Sequence, residues 1–294
     1  TSALQVAIEL AGVKTGDEVI TQALTFIATC NAISYTGAQP IFIDVDKDTM
    51  GLSPEALRAF LEKNADKKND GTYNKYSGKK ISACVPMHTF GFPCRIAEIA
   101  KICAEWDISL IEDAAESLGS YVGNDHTGTF GLMATLSFNG NKVITTGGGG
   151  MIITDDLELA KRAKHITTTA KIPHPFEFFH DELGYNYRMP NLNAALGCAQ
   201  MEKLNEFLKI KRQLADQWSA FFREKGIDLV KAIDGNKANY WLNTIILESK
   251  EKRDEFLEFT NKNNVMTRPV WTLMSKIPMY KFCQTDQLEN SIWL

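Results

Sequence analysis

A lysine beside a glycine run and a carboxylate at the end of a strand hold most of the chemistry this sequence can do. Lys142 sits in Ser137-Phe-Asn-Gly-Asn-Lys-Val-Ile-Thr-Thr-Gly-Gly-Gly-Gly-Met151. An apolar run of strand length, Met133 to Phe138, precedes it, and a second short strand, Met151 to Thr154, follows. A primary amine can condense with a carbonyl and exchange with an incoming amine, and lysine's charge responds readily to burial. Gly147 to Gly150 permit backbone conformations closed to other residues, at an entropic cost that a core does not need. Taken alone, such a stretch is more often a flexible hairpin with an exposed lysine. Its context argues otherwise. Ser109-Leu-Ile runs into Glu112-Asp113-Ala-Ala-Glu116-Ser-Leu-Gly119. Carboxylates therefore stand at the C-terminal end of a strand, where open α/β sheets bind ligands.

Other chemistries lack their residues. No Gly-x-Gly-x-x-Gly turn joins an early strand to a helix, and Lys142 precedes its glycines, whereas a P-loop lysine follows them. The net charge is −4 and no Lys/Arg cluster alternates with aromatics, so no nucleic-acid partner is expected. The six cysteines, at positions 30, 84, 94, 103, 198 and 283, form no C-x-x-C pair and no metal spacing, and are expected to be buried thiols with no metal. No apolar run approaches the roughly 18 residues of a membrane span and no leader opens the chain, so a cytoplasmic location without membrane association is expected.

The positioning elements follow from periodicity. Leu4, Ala7, Ile8, Leu10 and Ala11 recur at helical spacing before Gly12, which puts Thr1 and Ser2 at a helix N-terminus. Such an end suits a phosphate, though an ordinary N-cap reads the same way. A strand from Gly16 leads to Thr25-Phe26-Ile-Ala-Thr29 and a helix ending near Gly37. Pro40 to Val45 reads as a buried strand, and Ser53-Pro54 opens a helix. Residues 62–80, polar and lysine-rich, are expected to form a solvated surface insertion that packs no core. Ile81 to Pro86 is a strand with His88 just past its end, and Arg95 to Trp106 is a helix. Later elements are a helix from Leu157 to Lys164, a less regular stretch from Thr167 to His180, and a long helical pattern from Asn193 to Gly226, broken once. A strand at Tyr240 to Leu247 and a helix at Lys252 to Asn261 complete the reading. Strands alternating with helices predict an α/β fold with a mostly parallel sheet covered on both faces. At 294 residues the chain has room for one large domain and a smaller one.

Asp113 at a strand end and Lys142 beyond a later strand resemble the cofactor site of the aspartate-aminotransferase fold (fold type I), which holds pyridoxal 5'-phosphate. The match narrows to the DegT/DnrJ/EryC1/StrS family of sugar aminotransferases. Its members carry Glu-Asp-Ala-Ala, then Ser-Phe-x-x-x-Lys and a Gly-Gly turn, and this sequence has both motifs in order. The segment Cys84-Val-Pro-Met-His-Thr-Phe-Gly-Phe-Pro93 and Glu116-Ser-Leu-Gly look most like the LegC-type subgroup. The resemblance implies a large cofactor-binding α/β domain over residues 1–195 and a smaller C-terminal α+β domain over 196–294. It also implies that Lys142 bonds the cofactor, that Asp113 faces its ring nitrogen, and that Phe26 stacks on the ring. Ser137, Thr1 and Ser2 would hold the phosphate, and Glu116 would stand near the ring hydroxyl. Gly184-Tyr-Asn-Tyr-Arg-Met189 resembles Gly-x-Asn-x-Arg-Met, whose asparagine (here Asn186) reaches the neighbouring subunit's cofactor phosphate, which implies a homodimer with shared sites. Arg268-Pro-Val-Trp271 matches a substrate-proximal Arg-Pro-x-Trp; His88, just past its strand, reads equally as a structural residue or as one that lines the sugar site.

The implied reaction is transfer of an amino group, with glutamate as donor, to a nucleotide-linked 4-keto-6-deoxy sugar, for surface polysaccharide or glycan biosynthesis. The LegC-type resemblance favours a UDP-linked 4-keto-6-deoxy-N-acetylhexosamine. The alternatives are GDP-4-keto-6-deoxymannose giving perosamine, and a non-catalytic regulatory or binding protein that kept the fold. Relatives that dehydrate the sugar have histidine where Lys142 stands, which favours amino transfer here. Thr1-Ser2-Ala3-Leu4 matches the middle of a family motif, and the chain stops short of the family's usual end, so a piece of a longer protein is expected.

Overall fold

The computed structural model describes residues 1–294. Its centre is a six-stranded sheet of β1 (Glu18–Gln22), β2 (Gln39–Ile43), β3 (Ile81–Val85), β4 (Ser109–Asp113), β5 (Met133–Ser137) and β6 (Gly150–Ile153), in spatial order β6-β5-β4-β3-β1-β2. All neighbours are parallel except the edge strand β6, which runs antiparallel to β5. The shared direction places the C-terminal ends of β1, β3, β4 and β5 along one rim. The mostly parallel α/β sheet expected from the alternation is what forms.

Helices cover both faces. On one side α1 (Ser2–Leu10) and α2 (Ile27–Tyr35) bury Leu4, Ala7, Ile8, Ala32 and Ile33 against Val19, Val85, Ile111 and Met133. On the other, α3 (Pro54–Asn64) and α4 (Ile96–Glu105) pack Leu57, Leu61, Ile96, Ile99 and Ile102 onto Ile20, Ile41, Ile81 and Leu110. The i, i+3 recurrence of isoleucine in α4 makes this its inward stripe. Each such side chain contributes roughly 2 kcal/mol through burial. Ser53 Oγ caps α3 by accepting from the Ala56 N–H at 3.4 Å, with Pro54 in the first turn, as the sequence indicates.

Beyond the sheet lie α5 (Leu157–Thr167), α6 (Asn191–Glu202), α7 (Leu204–Arg223) and α8 (Lys250–Lys262). The single break in the long helical pattern falls at Lys203. The last segment of the chain runs beside β2, where the Phe42 N–H donates to Gln284 O at 2.9 Å and the Asp286 N–H donates to Phe42 O at 3.1 Å. That pairing covers what would otherwise be an open sheet edge.

Two expectations are corrected. Residues 62–80 are not a purely solvated insertion: Ala65–Lys68 pairs antiparallel with Gly71–Asn74, and Ala65, Thr72 and Asn74 are buried. The buried polar groups are satisfied, since Thr72 Oγ1 donates to Trp106 O and Asn74 Nδ2 donates to Glu18 Oε2 at 2.7 Å. The strand expected at Tyr240 to Leu247 does not form, and only an isolated bridge, Leu229 to Ile245, marks it. Tyr240 has φ +50°, outside any strand conformation, and follows the buried Asn239, whose side chain bonds to Glu116 O and Leu118 O.

Candidate active site

The rim at the C-terminal strand ends opens into a large cleft. Thr1, Ser2, Phe26, Asp113, Glu116, Ser137, Lys142, Arg268 and Trp271 all line it. Its volume of about 3600 Å³ is several times the roughly 300–1,000 Å³ of a small-ligand pocket. It continues past these residues along α7 and α8, lined there by Trp218, Phe221 and Phe256.

Side-chain alternation along β4 sorts its two terminal carboxylates. Asp113 lies at the cleft floor. Its Oδ2 accepts from Thr29 Oγ1 at 2.7 Å and its Oδ1 from the Ala115 N–H at 3.2 Å. Glu112 points the other way and is fully buried, accepting from the N–H groups of Gly128, Phe130 and Gly131 at 2.7–2.9 Å and pairing with His88 Nε2 at 3.0 Å. This corrects the reading of His88 as a residue of the sugar site. Its imidazole is wholly buried, its Nδ1 accepts from the Cys94 N–H at 3.3 Å, and it does not line the cleft. His88 and Glu112 hold the loop after β4 from behind.

Lys142 lies beyond β5, in the loop that Gly149 and its neighbours return to β6. Gly149 has φ +154°, and a Cβ there would stand 2.6 Å from Met189 and 2.8 Å from Thr146, so no larger residue fits without displacing them. Lys142 Nζ is 3.4 Å from Glu116 Oε1 and 3.9 Å from the centre of the Trp241 ring. Glu116 is nearly buried, and its Oε2 accepts from the Phe90 N–H at 2.8 Å. Burial pushes the Glu116 carboxyl up to about 7, with the charge of Lys142 and the Phe90 N–H pulling the other way. Above the site, Phe26, Trp271, Phe90 and Trp241 form a row of rings, with centroid separations of 6.0, 4.7 and 6.5 Å. Phe26 presents a half-exposed face to the cleft. Arg268 Nη1 donates to Asn261 Oδ1 at 2.9 Å, which holds the start of the Arg-Pro-Val-Trp segment to α8.

These residues suit pyridoxal phosphate. The start of α1 borders the cleft, where helix N–H groups suit a phosphate, and the hydroxyls of Thr1, Ser2 and Ser137 are neutral donors on the same cleft. A fixed carboxylate, a lysine amine and an open aromatic face complete the donor set. Asn186 is exposed and does not line the cleft of its own chain, while its neighbours Tyr187, Arg188 and Met189 do.

Three contributors escaped the sequence reading. Thr29 orients Asp113 from the first turn of α2, one helical turn past Phe26. Asn239 is fully buried: Nδ2 donates to Glu116 O at 2.8 Å and Leu118 O at 3.0 Å, while Oδ1 accepts from the Trp241 N–H at 2.7 Å. Gly91, at φ +92°, makes room for it, since a Cβ there would fall 1.9 Å from Asn239 Oδ1. Trp241 is the third. The residues around it read as an apolar strand, and no local pattern marks a tryptophan that meets a lysine about a hundred positions away.

Comparison with known proteins bears on the same cleft. The sequence profile of the DegT/DnrJ/EryC1/StrS aminotransferase family matches residues 1–294. A GDP-perosamine synthase of Escherichia coli O157:H7 is 36% identical over 283 residues, covering 95% of this chain and 72% of that protein. A putative pyridoxal phosphate-dependent aminotransferase, EpsN of Bacillus subtilis, is 34% identical, with 95% and 70% covered. Among solved structures, the aminotransferase TlmJ from Streptoalloteichus hindustanus superposes with a TM-score of 0.88 at 26% identity, covering 99% of this chain and 75% of that one.

Proposed function

The chain belongs to the DegT/DnrJ/EryC1/StrS aminotransferase family, and from that premise we propose that it transfers an amino group from an amino acid, glutamate being the expected donor, to C4 of a nucleotide-linked 4-keto-6-deoxy sugar. The family is one of sugar aminotransferases that use pyridoxal phosphate. One observation carries the reading: Asp113 and Lys142, from the ends of the adjacent parallel strands β4 and β5, open onto one cleft.

When bound, pyridoxal phosphate supplies the electron sink that stabilises a carbanion. The N–H groups at the start of α1 and the hydroxyls of Thr1, Ser2 and Ser137 hold the phosphate. Asp113, fixed by Thr29 and Ala115, would be the carboxylate for the ring nitrogen, its charge favouring a proton there. Phe26 gives the ring a flat apolar surface. Lys142 Nζ would be the amine that holds the cofactor, and when free and neutral it could take and return a proton at the reacting substrate carbon. Glu116, beside that amine and titrating near neutrality, can keep a proton within reach.

For the sugar, the resemblance to GDP-perosamine synthases favours GDP-4-keto-6-deoxymannose over the UDP-linked N-acetylhexosamine. Of the two segments that favoured the UDP sugar, Cys84 to Pro93 contributes mainly to the core, with only Met87 and Phe90 bordering the cleft, while Glu116 of Glu116-Ser-Leu-Gly119 lines it. The proposed assembly is a homodimer in which Asn186 completes the partner's phosphate site. Its support is the apolar surface flanking Asn186, where Phe176, Phe178, Leu183 and Leu192 are each more than four-fifths exposed. Of the six thiols expected to be buried, Cys30, Cys84, Cys94 and Cys103 are, whereas Cys198 is exposed and Cys283 half-buried.

The direct test incubates the cofactor-loaded protein with glutamate and either GDP-4-keto-6-deoxymannose or the UDP-linked keto sugar, and analyses products by mass spectrometry. An amino sugar from the GDP substrate is expected. Amination of the UDP sugar alone would reverse the choice, and no amination of either would reject the reading.

A further inference from the structure

We propose that Trp241 is the positioning residue for Lys142, a claim that rests on Lys142 being the cofactor lysine. One indole makes two contacts with the lysine loop. Its face lies 3.9 Å beneath Nζ, and its Nε1–H donates to Asn141 O at 2.6 Å. The tip of Lys142 and the backbone of the preceding residue are thereby referred to one rigid group with only two side-chain torsions. The loop needs such a tie. Asn139 and Gly140 are exposed, a Cβ at Gly140 would meet nothing within 4 Å, and the remaining backbone hydrogen bonds of residues 139–142 are local.

Trp241 is itself anchored. Its N–H donates to Asn239 Oδ1, and Asn239 Nδ2 donates to Glu116 O, so the two groups that flank the ammonium share one buried anchor. Glu116 Oε1 approaches Nζ from one side and the ring face from another. An aromatic face attracts the ammonium and not the neutral amine. The hold is therefore strongest when Lys142 is free and protonated, the state in which an unrestrained side chain would swing away from the cleft. The contact of Nε1–H with Asn141 O does not depend on the lysine's charge, so the loop stays pinned in either state.

The test separates the two contacts. Cofactor-free protein is trace-labelled with acetic anhydride at mildly alkaline pH, and acetylation of Lys142 is compared by peptide mass spectrometry with that of exposed lysines such as Lys14 and Lys101. In Trp241→Leu, relative labelling of Lys142 should rise about three- to tenfold, the range a cation–π contact of this exposure supports. Trp241→Phe keeps a ring face and should stay within about twofold of the natural chain. Lacking the Nε1–H, it should nonetheless lower kcat for the half-reaction with glutamate several-fold while KM for glutamate is held. Thermal unfolding verifies that each variant is folded.

Unchanged labelling in Trp241→Leu would overturn the proposal, as would equal labelling in the two variants. If the leucine variant does not fold, an unchanged kcat in Trp241→Phe overturns it. Discovery of the cofactor on another lysine would instead defeat the functional reading, and the acetylation result would still report whether Trp241 holds Lys142.

Discussion

Thr29 Oγ1 donates to Asp113 Oδ2 at 2.7 Å, joining the first turn of α2 to the end of β4 inside a buried pair. The carboxylate is thus aimed by a helix that also carries Phe26 at its N-terminus. Orientation of the ring face and of the charge below it are set by the same element.

Substituting Asp113→Asn separates charge from position. With its oxygen toward the Ala115 N–H, the amide can donate to Thr29 Oγ1, because the hydroxyl both donates and accepts. The fold and the phosphate contacts should persist, so the cofactor should remain bound with its absorbance present. The turnover rate should fall about a hundredfold or more, the scale of losing one preorganised electrostatic group. Stopped-flow measurement of the half-reaction with glutamate checks this, and near-normal turnover would show that Asp113 does not face the ring.

Glu116 gives a pH signature in the cofactor-free chain. Its carboxyl titrates near 4.5 when unfolded and is raised by burial to about 7 when folded. Between those values the folded state binds more protons than the unfolded state, so stability falls as pH rises. The contribution is fully present below about 4.5 and is lost as pH passes about 7, amounting to roughly 3 kcal/mol as an order of magnitude. Glu116→Gln removes that titration. Chemical denaturation of both proteins across the window should give stability curves that separate as pH falls, the natural chain gaining on the variant. Parallel curves would mean Glu116 is not held near neutrality.

Shared sites are tested by mixing subunits. Asn186→Ala and Lys142→Ala chains should each be nearly inactive, and an exchanged hybrid should hold one site with both lesions and one with neither. Activity should return to about a quarter of an equal amount of natural protein, the statistical yield of intact sites in a random mixture of paired subunits. Full activity in a monomer, read by sedimentation, would refute sharing.

Much of the site was legible because its residues sit at strand ends and beside glycines, features that leave marks in a linear sequence. Asp113 and Lys142 follow apolar runs, and one break in the long helical pattern is expected, which the structure places at Lys203. His88 takes the structural one of its two readings, and alternation explains why. A residue just past a strand can turn toward the cleft or away from it, and the buried Glu112 carboxylate took it away. The hairpin from Ala65 to Asn74 was missed because its buried groups are polar and satisfied by distant partners, Glu18, Trp106 and Gln284. Asn239 and Trp241 were missed for the same reason. Their partners, Glu116, Leu118 and Asn141, lie a hundred or so residues earlier, and local pattern does not encode such contacts.

The measurement that tests the central claim most directly is borohydride reduction of the cofactor-loaded protein, followed by proteolysis and peptide mass spectrometry. Reduction makes the link between cofactor and amine permanent, so the modified residue is identified outright. The label should fall on Lys142, in the peptide containing Ser137-Phe-Asn-Gly-Asn-Lys, and Lys142→Ala should lose both the label and the turnover. A label on any other lysine, or retained turnover without Lys142, would contradict the account.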